Sequence, residues 1–331
     1  MHTPNWSTGM KIQQLQAPVR NDFAAVNNLI IHRIQEQSGI IDDLSNHIIQ
    51  SGGKRLRPLL VLLASHACNY SGQNHIKLAA MIEFLHTASL LHDDVIDESA
   101  LRRGRETAHK IWGSKASILV GDYLFTQYMQ LMIDVGDMNI IQILTNIVHR
   151  ITCSELKQLS NKHDPYITVN DYMEVIQSKT SSLFSVSARL GALISGANQE
   201  TEHALTAYGL HLGNIFQLID DALDYCSDAQ TMGKNAGDDL ADGKVTMPLL
   251  HALKHGTPAQ QETIVDSIKH GRREKLPEIL AVINSTKAIE YTKSVAATEA
   301  ALAKQALCIL PESIYKAALL GVVDYALQRD H

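Results

Sequence analysis

Helical periodicity of the apolar residues is the sequence feature that most restricts the possible folds of this chain. Between 21 and 34, Phe23, Val26, Leu29, Ile30 and Ile34 recur mostly at intervals of three and four, as on one face of an α-helix. No segment alternates between apolar and polar residues for long, as a half-buried strand would. Eight prolines and nineteen glycines are clustered in a few places, and aromatic residues, which favour strands, make up only 5% of the chain. The pattern therefore predicts an all-α fold.

The periodicity predicts a series of helices that together form one helical bundle. They are expected at 21–50, 57–70, 74–98, 115–134, 138–160, 170–195, 200–227, 246–254, 258–270, 287–308 and 311–329. The helix at 74–98 is apolar on most sides, which places it near the middle of the bundle. No Pro/Ser-rich linker divides the chain, so residues 21–331 are expected to form a single domain, while residues 1–20 carry no prediction.

Capping signals and one long irregular segment add detail to this prediction. Thr257, Pro258 and Gln260 form a capping box with a first-turn proline, and Gly72 and Gly136 follow apolar runs as helix terminators. The longest irregular segment is expected at 228–245. A long loop in a compact domain is often functional, so this segment is a candidate part of the site.

Charge and cysteine content restrict the possible partners and compartment. The chain carries 29 basic and 35 acidic residues, a net charge of −6, so no broad nucleic-acid-binding surface is expected. Its four cysteines are far apart and contain no CxxC pair, which indicates core thiols in a reducing cytoplasm rather than a zinc site or disulfides. The most apolar stretch, PLLVLLASHAC at 58–68, is too short for a transmembrane segment, and no signal peptide is recognisable. A soluble cytoplasmic protein is therefore expected.

Two aspartate clusters stand inside otherwise apolar helical runs. In LLHDDVIDES, Asp93, Asp94 and Asp97 lie within one helical turn, and FQLIDDALDY repeats the arrangement 127 positions later with Asp220, Asp221 and Asp224. A single DDxxD is most often a solvated helix end. Two such clusters facing each other could share divalent cations, because closely spaced carboxylates repel unless a cation compensates them.

Basic residues lie beside these clusters in the sequence. GGKRLRP at 52–58 supplies Lys54, Arg55 and Arg57 at the start of a helix, and LRRGRE supplies Arg102 and Arg103 just after Asp97. Arginine forks and lysine ammonium groups bind phosphate oxygens. Together with the acidic clusters they predict a site in which metal ions and cationic side chains hold a phosphate group.

The motifs GGKRLRP, LLHDDVIDES, LRRG, SKTSSLF, FQLIDDALDY and GKNAGDDLADGKVTMPLL occur in this order from about residue 20 to the C-terminus. This series resembles the trans-isoprenyl diphosphate synthases, most closely their bacterial octaprenyl group. The resemblance implies an all-α bundle around a deep apolar cavity, a homodimer, and elongation of farnesyl or geranylgeranyl diphosphate by isopentenyl diphosphate. It also implies a quinone side-chain precursor as product, with transient membrane contact for its release.

The same resemblance implies roles for individual residues. It identifies Asp93, Asp94, Asp97, Asp220, Asp221 and Asp224 as ligands of Mg²⁺, with three ions per active site. The allylic diphosphate would be bound by Arg102, Lys179, Thr180, Gln217, Lys234 and Lys244, and isopentenyl diphosphate by Lys54, Arg57, His86 and Arg103. Lys179 joins the aspartates Asp93, Asp94, Asp97, Asp220 and Asp221 in the expected catalytic set.

Two of these side chains share a helix face with an aspartate cluster. His86 lies two turns before Asp93, and Gln217 lies one turn before Asp220. The alternative for each is a buried polar group satisfied by its neighbours. The other fifteen histidines are expected at the surface or in loops.

Small residues near the first cluster predict a long product. Ala88 and Ser89 lie about one turn below Asp93, where short-chain relatives of the family carry a bulky aromatic residue. Tyr128 and Met132 on the following helix are candidates for the cavity floor, although Met132 could equally be an ordinary core methionine. The expected product is octaprenyl diphosphate, with heptaprenyl or nonaprenyl diphosphate as alternatives.

Two further functions remain open from the residues alone. A class I terpene cyclase uses a similar aspartate-rich helix, but its second metal motif usually mixes Asn, Ser or Thr with Glu. A non-catalytic prenyltransferase subunit tends to lose one acidic motif. This chain has both motifs, which favours a complete enzyme.

Overall fold

The computed structural model describes residues 11–35, 39, 43, 47, 53–102, 104–226 and 237–329. Its α-helices are α1 Ile12–Gln16, α2 Arg20–Gln35, α3 Leu56–Ala67, α4 Asn74–Ile96, α5 Ala108–Trp112, α6 Ser114–Val135, α7 Met138–Ser160, α8 Val169–Ile176, α9 Ser182–Ile194, α10 Gln199–Asp224, α11 Asp238–Ala241, α12 Met247–His255, α13 Pro258–His270, α14 Leu276–Ser285, α15 Ala288–Ala306 and α16 Ile314–Leu327. Strands β1 Leu101–Arg102 and β2 Arg105–Glu106 form one short antiparallel hairpin. The all-α prediction is confirmed.

Helix ends follow the capping chemistry of the sequence in most places. Thr257 and Gln260 form the predicted capping box, and Gly136 ends α6 in the left-handed conformation with φ of 69°. The prediction for Gly72 is wrong, because α3 has already ended at Ala67. Asn69 takes the left-handed conformation there, with φ of 59°, which asparagine tolerates better than most residues.

One predicted helix is divided in the structure, and one observed helix is absent from the prediction. The predicted helix at 170–195 is divided by a π-helical turn, Gln177–Ser181, between α8 and α9. The sequence prediction contains no helix at the position of α14, which begins with Leu276 and Pro277. Its proline stands in the first turn, where proline starts helices rather than breaking them.

Helix α4 occupies the middle of the structure, as predicted. It packs against α2, α3, α6 and α9, and its residues Leu78, Ala79, Ala80, Met81 and Ile82 are fully buried although they point in all directions around the helix. α10 packs against α9 on one side and α15 on the other. The aspartate clusters stand at the C-terminal ends of α4 and α10, so the packing of these two helices determines where the clusters lie.

Glycines allow α10 to approach the π turn and α9 closely. A Cβ atom on Gly213 would lie 2.4 Å from Ser181 Cα, and one on Gly209 would lie 2.5 Å from the Phe184 carbonyl oxygen. Neither distance leaves room for a side chain. The backbone of the π turn is therefore in direct contact with the helix that carries the second aspartate cluster.

Some expectations about surface and core residues are wrong. All four cysteines are free, but Cys153 and Cys308 are exposed rather than core thiols. Among the histidines expected at the surface or in loops, His75 and His109 are buried. Both cysteines lie on the solvent-facing sides of their helices. The burial of the two histidines could not be predicted, because periodicity does not reveal which polar residues a neighbouring helix covers.

The N-terminal segment is part of the core. Leu15 and Val19, from α1 and the 3₁₀ turn Ala17–Val19, are buried in the main core.

Among the described helices, none has both the length and the apolar character that crossing a membrane requires.

Candidate active site

A cavity of about 980 Å³ opens between the C-terminal ends of α4 and α10. The six aspartates of both clusters line it: Asp93, Asp94, Asp97, Asp220, Asp221 and Asp224. So do most of the predicted binding residues: Lys54, Arg57, His86, Arg102, Lys179, Thr180, Gln217 and Lys244. Two segments 127 positions apart in the chain therefore share one site.

The first cluster is formed by the last turn of α4 and the hairpin that follows. Asp97 caps the helix, and Gly104, with φ of 74°, turns the chain back so that Arg102 faces α4. The Nε of Arg102 donates to both carboxylate oxygens of Asp94 at 2.9 and 3.0 Å, and its Nη2 donates to Oδ1 at 2.7 Å. Asp94 is buried, so this guanidinium supplies the charge compensation that a buried carboxylate requires.

Asp97 is held by lysines from two distant segments. Lys244 donates to Oδ2 at 2.9 Å, and Lys162 donates to Oδ1 at 3.3 Å. Burial raises the pKa of Asp97, but these ammonium groups and that of Lys179 outweigh it, so the pKa lies below its usual range. Burial lowers the pKa of Lys244, and the neighbouring carboxylates more than reverse this effect. Both groups are therefore charged at neutral pH.

Asp93 has weaker compensation than its two neighbours. Its nearest cation is Lys179, whose Nζ lies 3.9 Å from Oδ2. Burial raises the pKa of Asp93 to about 6, and the nearby carboxylates of Glu155 and Asp97 contribute in the same direction. This position would gain the most from an added positive charge.

The second cluster has one exposed and two buried carboxylates. Asp220 is half exposed, and Arg329 Nη1 lies 2.9 Å from its Oδ1. Asp221 is buried and accepts hydrogen bonds from Tyr172 Oη at 2.6 Å and Gln217 Nε2 at 2.7 Å. Burial, followed by the carboxylate of Asp239, raises the pKa of Asp221 to about 8. The neutral acid therefore predominates at pH 7 while no cation is bound.

The donor set of this cavity fits a hard divalent cation. Six carboxylates line one cavity, and the pKa values of Asp93 and Asp221 are raised, which is the behaviour of carboxylates that lack sufficient positive charge nearby. In the described part of the chain, their oxygens do not gather into a group of three within 4.8 Å of one another. A metal ion would therefore have to draw these side chains together.

The π turn positions Lys179 and Thr180 opposite α10. Lys179 Nζ donates to Glu155 Oε2 and Gln158 Oε1, both at 2.8 Å. Thr180 Oγ1 donates to Gln217 Oε1 at 2.9 Å, which links the π turn to the second aspartate cluster. A π turn inside a helix often marks a functional position, because it changes the direction in which side chains point.

The residues expected to bind isopentenyl diphosphate meet at the start of α3. Arg57 Nη1 lies 3.0 Å from His86 Nε2, and its guanidinium lies 4.2 Å from the ring centroid of Phe184. Lys54 Nζ lies 5.3 Å from the ring centroid of Tyr325. Two cationic side chains and a histidine thus point into the same part of the cavity. Arg103 and Lys234, which also belong to the predicted binding set, lie outside the described residues.

The predicted chain-length residues separate into two groups. Ser89 lines the cavity. Ala88, Tyr128 and Met132 are buried in the core and are not part of the lining of this cavity. The apolar part of the lining comes instead from several helices, and Ile30, Ile34, Phe84, Leu124 and Ile151, from α2, α4, α6 and α7, are among its residues.

Sequence reasoning missed several charged or polar residues of the site. Those that contact the aspartates or Lys179 are Glu155, Gln158, Lys162, Tyr172, Asp239 and Arg329. They come from α7, the segment after it, α8, α11 and the residues after α16. Apart from Asp239, which stands in GKNAGDDLADGKVTMPLL, these residues lie outside the motifs recognised in the sequence, so only the tertiary structure brings them to the site.

Comparisons with known proteins agree with this geometry. The family model named polyprenyl synthetase matches residues 38–285. The octaprenyl diphosphate synthase of Escherichia coli (strain K12) is 42% identical over 322 residues, which cover 97% of this chain and 100% of that protein. The all-trans-nonaprenyl-diphosphate synthase (geranyl-diphosphate specific) of Rhodobacter capsulatus is 41% identical over 318 residues, covering 96% and 98%.

A solved structure is similar over almost the whole chain. The crystal structure of polyprenyl synthase from Caulobacter crescentus CB15, complexed with calcium and isoprenyl diphosphate, has a TM-score of 0.93 and 39% sequence identity. The match covers 98% of this chain and 100% of that one.

Proposed function

The chain belongs to the polyprenyl synthetase family, and from this premise we propose that it is a long-chain trans-polyprenyl diphosphate synthase. Its substrates are isopentenyl diphosphate and an allylic starter, farnesyl or geranylgeranyl diphosphate. Its product is octaprenyl diphosphate, a precursor of a quinone side chain. The observation that carries the proposal is that six aspartates and eight predicted binding residues line one cavity with an apolar interior.

Magnesium is the proposed cofactor, with three ions held by the six aspartates. Bound Mg²⁺ supplies positive charge to the allylic diphosphate, which makes it a better leaving group. The oxygen-only donor set favours this hard cation over transition metals. The similar Caulobacter crescentus polyprenyl synthase is complexed with calcium and isoprenyl diphosphate, which supports the proposal of a divalent cation.

The cationic side chains have two alternative partners in this proposal. Without substrate, Arg102 pairs with Asp94, Lys244 with Asp97, and Lys179 with Glu155. With metal held by the aspartates, these cationic side chains would be available to bind the diphosphate oxygens. They then stabilise the charge that accumulates as the bond between C1 and the diphosphate breaks, which lowers the barrier most in the transition state.

The second substrate is proposed to bind beside the first, against Arg57, His86 and Lys54. Its double bond attacks C1 of the allylic group, a new carbon–carbon bond forms, and a proton is lost from the condensed product. The released diphosphate accepts that proton, so no side chain is assigned as general base. Repeated cycles push the growing chain from the aspartates towards the apolar lining near Phe84 and Leu124.

Homodimer formation is proposed on the basis of an apolar stripe on α6. Ile118, Leu119, Met129 and Ile133 are exposed, and helical geometry places them within an arc of about 100°, which also contains the exposed Asp122 and Thr126. Such a stripe on a surface helix favours burial against another surface, here the same stripe of a second copy. Ile133→Lys should shift the mass measured by light scattering towards the monomer, whereas the exposed Leu302→Lys, which lies on α15, should not.

The octaprenyl product is proposed over its neighbours in length because octaprenyl diphosphate synthases are among the most similar relatives. The small side chain of Ser89 in the cavity lining supports a long product of this class. We further propose a cytoplasmic location, because four free cysteines are compatible with a reducing compartment.

The deciding experiment is product analysis with the purified chain. Farnesyl diphosphate, radiolabelled isopentenyl diphosphate and Mg²⁺ should give a C40 product after dephosphorylation and chromatography, and EDTA should abolish the reaction. Release of a cyclic hydrocarbon without consumption of isopentenyl diphosphate would instead identify a terpene cyclase. Absence of any turnover by the folded protein would identify a non-catalytic subunit.

A further inference from the structure

A histidine and carboxylate cluster lies far from the cavity, where α2, α3 and α4 meet. Asp22 belongs to the first turn of α2, His66 to the last turn of α3 and His75 to the first turn of α4. His75 and Asp93 are at opposite ends of α4, about 27 Å apart along the helix axis. This cluster is therefore separate from the aspartate site.

The three side chains direct ligand atoms at one point. Asp22 Oδ2 lies 2.5 Å from His66 Nε2 and 3.2 Å from His75 Nε2, and all three ligand atoms lie within 4.8 Å of one another. A tetrahedral Zn²⁺ with bonds of about 2.0–2.1 Å keeps its ligand atoms about 3.3 Å apart. Small side-chain rotations would therefore suffice to admit an ion. In the described part of the chain, no other group of three His, Cys, Asp or Glu ligand atoms is this compact.

His75 supplies a second, independent observation that points to a ligand. Its side chain is 3% exposed, and although Nε2 lies 3.2 Å from Asp22 Oδ2, neither ring nitrogen makes a hydrogen bond of good geometry. Buried polar nitrogens are nearly always satisfied in folded proteins, because leaving one unpaired costs stability. A metal ion bonded to Nε2 would satisfy the nitrogen that points at Asp22.

The surroundings hold the two rings in place and leave one side open. Tyr315 of α16 stacks on His66 with ring centroids 4.9 Å apart, and Tyr70 contacts His75 edge to face at 5.4 Å. The side chains of Asp22 and His66 retain about a quarter of their exposure, at 27% and 24%. Water can therefore reach a fourth coordination position.

We propose that Asp22, His66 and His75 bind a divalent transition-metal ion of the Zn²⁺ type, with water as the fourth ligand. Two imidazoles and one carboxylate suit Zn²⁺, Co²⁺ or Ni²⁺, whereas Mg²⁺ prefers oxygen ligands alone. The ion joins the start of α2 to the turn between α3 and α4, two segments that are distant in the chain, and so it stabilises the fold rather than acting on substrate. The partial positive charge at the start of α4 opposes a cation, and the carboxylate of Asp22 offsets it.

The test uses Zn²⁺ and Co²⁺ with excess Mg²⁺ present to occupy the aspartate clusters. Zn²⁺ at a hundredfold excess over its Kd should raise the melting temperature of the chelator-treated protein by about 4 °C. Co²⁺ should give the visible absorption of a four- or five-coordinate site with nitrogen ligands. His75→Gln and Asp22→Asn, which change different helices, should each lose both signals while remaining folded.

Two control variants separate this site from other histidines and from the enzyme reaction. His211→Gln removes a histidine that pairs with one carboxylate, Glu299, at 2.7 Å, and it should keep both metal signals. Asp220→Ala should lose prenyl transfer and also keep both metal signals. The proposal is overturned if the unaltered protein shows neither signal, or if His75→Gln and Asp22→Asn retain them. Failure of the proposed prenyltransferase activity would leave both metal signals unchanged.

Discussion

Tyr172→Phe tests how the buried hydrogen bonds of Asp221 control metal binding. Tyr172 Oη donates to Asp221 Oδ2 at 2.6 Å, and burial raises the pKa of this carboxyl to about 8. Mg²⁺ binds the ionised form, so at pH 7 the metal must displace a proton. The variant should remain active and folded, but it should need more Mg²⁺ at neutral pH.

The expected magnitude follows from the strength of one charge-assisted hydrogen bond. Its loss costs about 1.5–3 kcal/mol for the ionised carboxylate, which raises the pKa of Asp221 by about one to two units. The apparent Mg²⁺ affinity should then fall by about 10- to 90-fold at pH 7, but by only about 2- to 10-fold at pH 9, where the unaltered protein is already largely ionised and the variant partly so.

The assay is the Mg²⁺ activation curve of prenyl transfer between pH 6.5 and 9. Tyr208→Phe is the matched control, because Tyr208 is also buried and donates to the Leu319 carbonyl oxygen at 2.8 Å, away from the cavity. The control should leave the Mg²⁺ requirement unchanged at every pH. An equal loss of affinity at pH 7 and pH 9 in Tyr172→Phe would refute the reasoning, because it would show an effect unrelated to ionisation.

Three further predictions concern the aspartates and the product. Asp93→Ala and Asp220→Ala should each abolish Mg²⁺-dependent turnover while circular dichroism stays unchanged, and retained activity would contradict their assignment as metal ligands. Ser89→Tyr, at a lining position, should shorten the product to three or four isoprene units in chromatography, and unchanged chain length would contradict the proposed product path. A carboxyl group whose pKa is raised on folding destabilises the folded protein as the pH rises, because the folded state then has to release the proton. Without metal, Asp221→Asn should therefore melt at a higher temperature than the unaltered protein at pH 8. The difference in melting temperature should be smaller at pH 5. Thermal melts in EDTA measure this difference, and an equal gain at both pH values would exclude ionisation as its cause.

The sequence predicts those features of the site that depend on local periodicity. Asp93 and Asp97 share a helix face because of helical geometry, and so do Gln217 and Asp221, which form a hydrogen bond at 2.7 Å. The central position of α4 follows equally from its apolar composition. Each of these predictions needs only the rise and twist of one helix.

Features that depend on contacts between distant segments could not be predicted in this way. Lys162 and Arg329 are ordinary surface cations by sequence, and only the packing of α7 and α16 brings them to Asp97 and Asp220. The chain-length residues show the same limit. Helical spacing gives the depth of Ala88 below Asp93, but the neighbouring helices decide that Ser89, and not Ala88, faces the cavity.

The ion pairs that Lys244 and Arg102 form with the aspartates couple the binding of metal to the binding of diphosphate. Metal alone would leave these cations without partners, and diphosphate alone would draw them away and leave the aspartates uncompensated. The two ligands therefore bind with positive cooperativity, and each must raise the affinity for the other by the same factor. Under the proposed function, this chain would therefore take up little magnesium until its substrate is present.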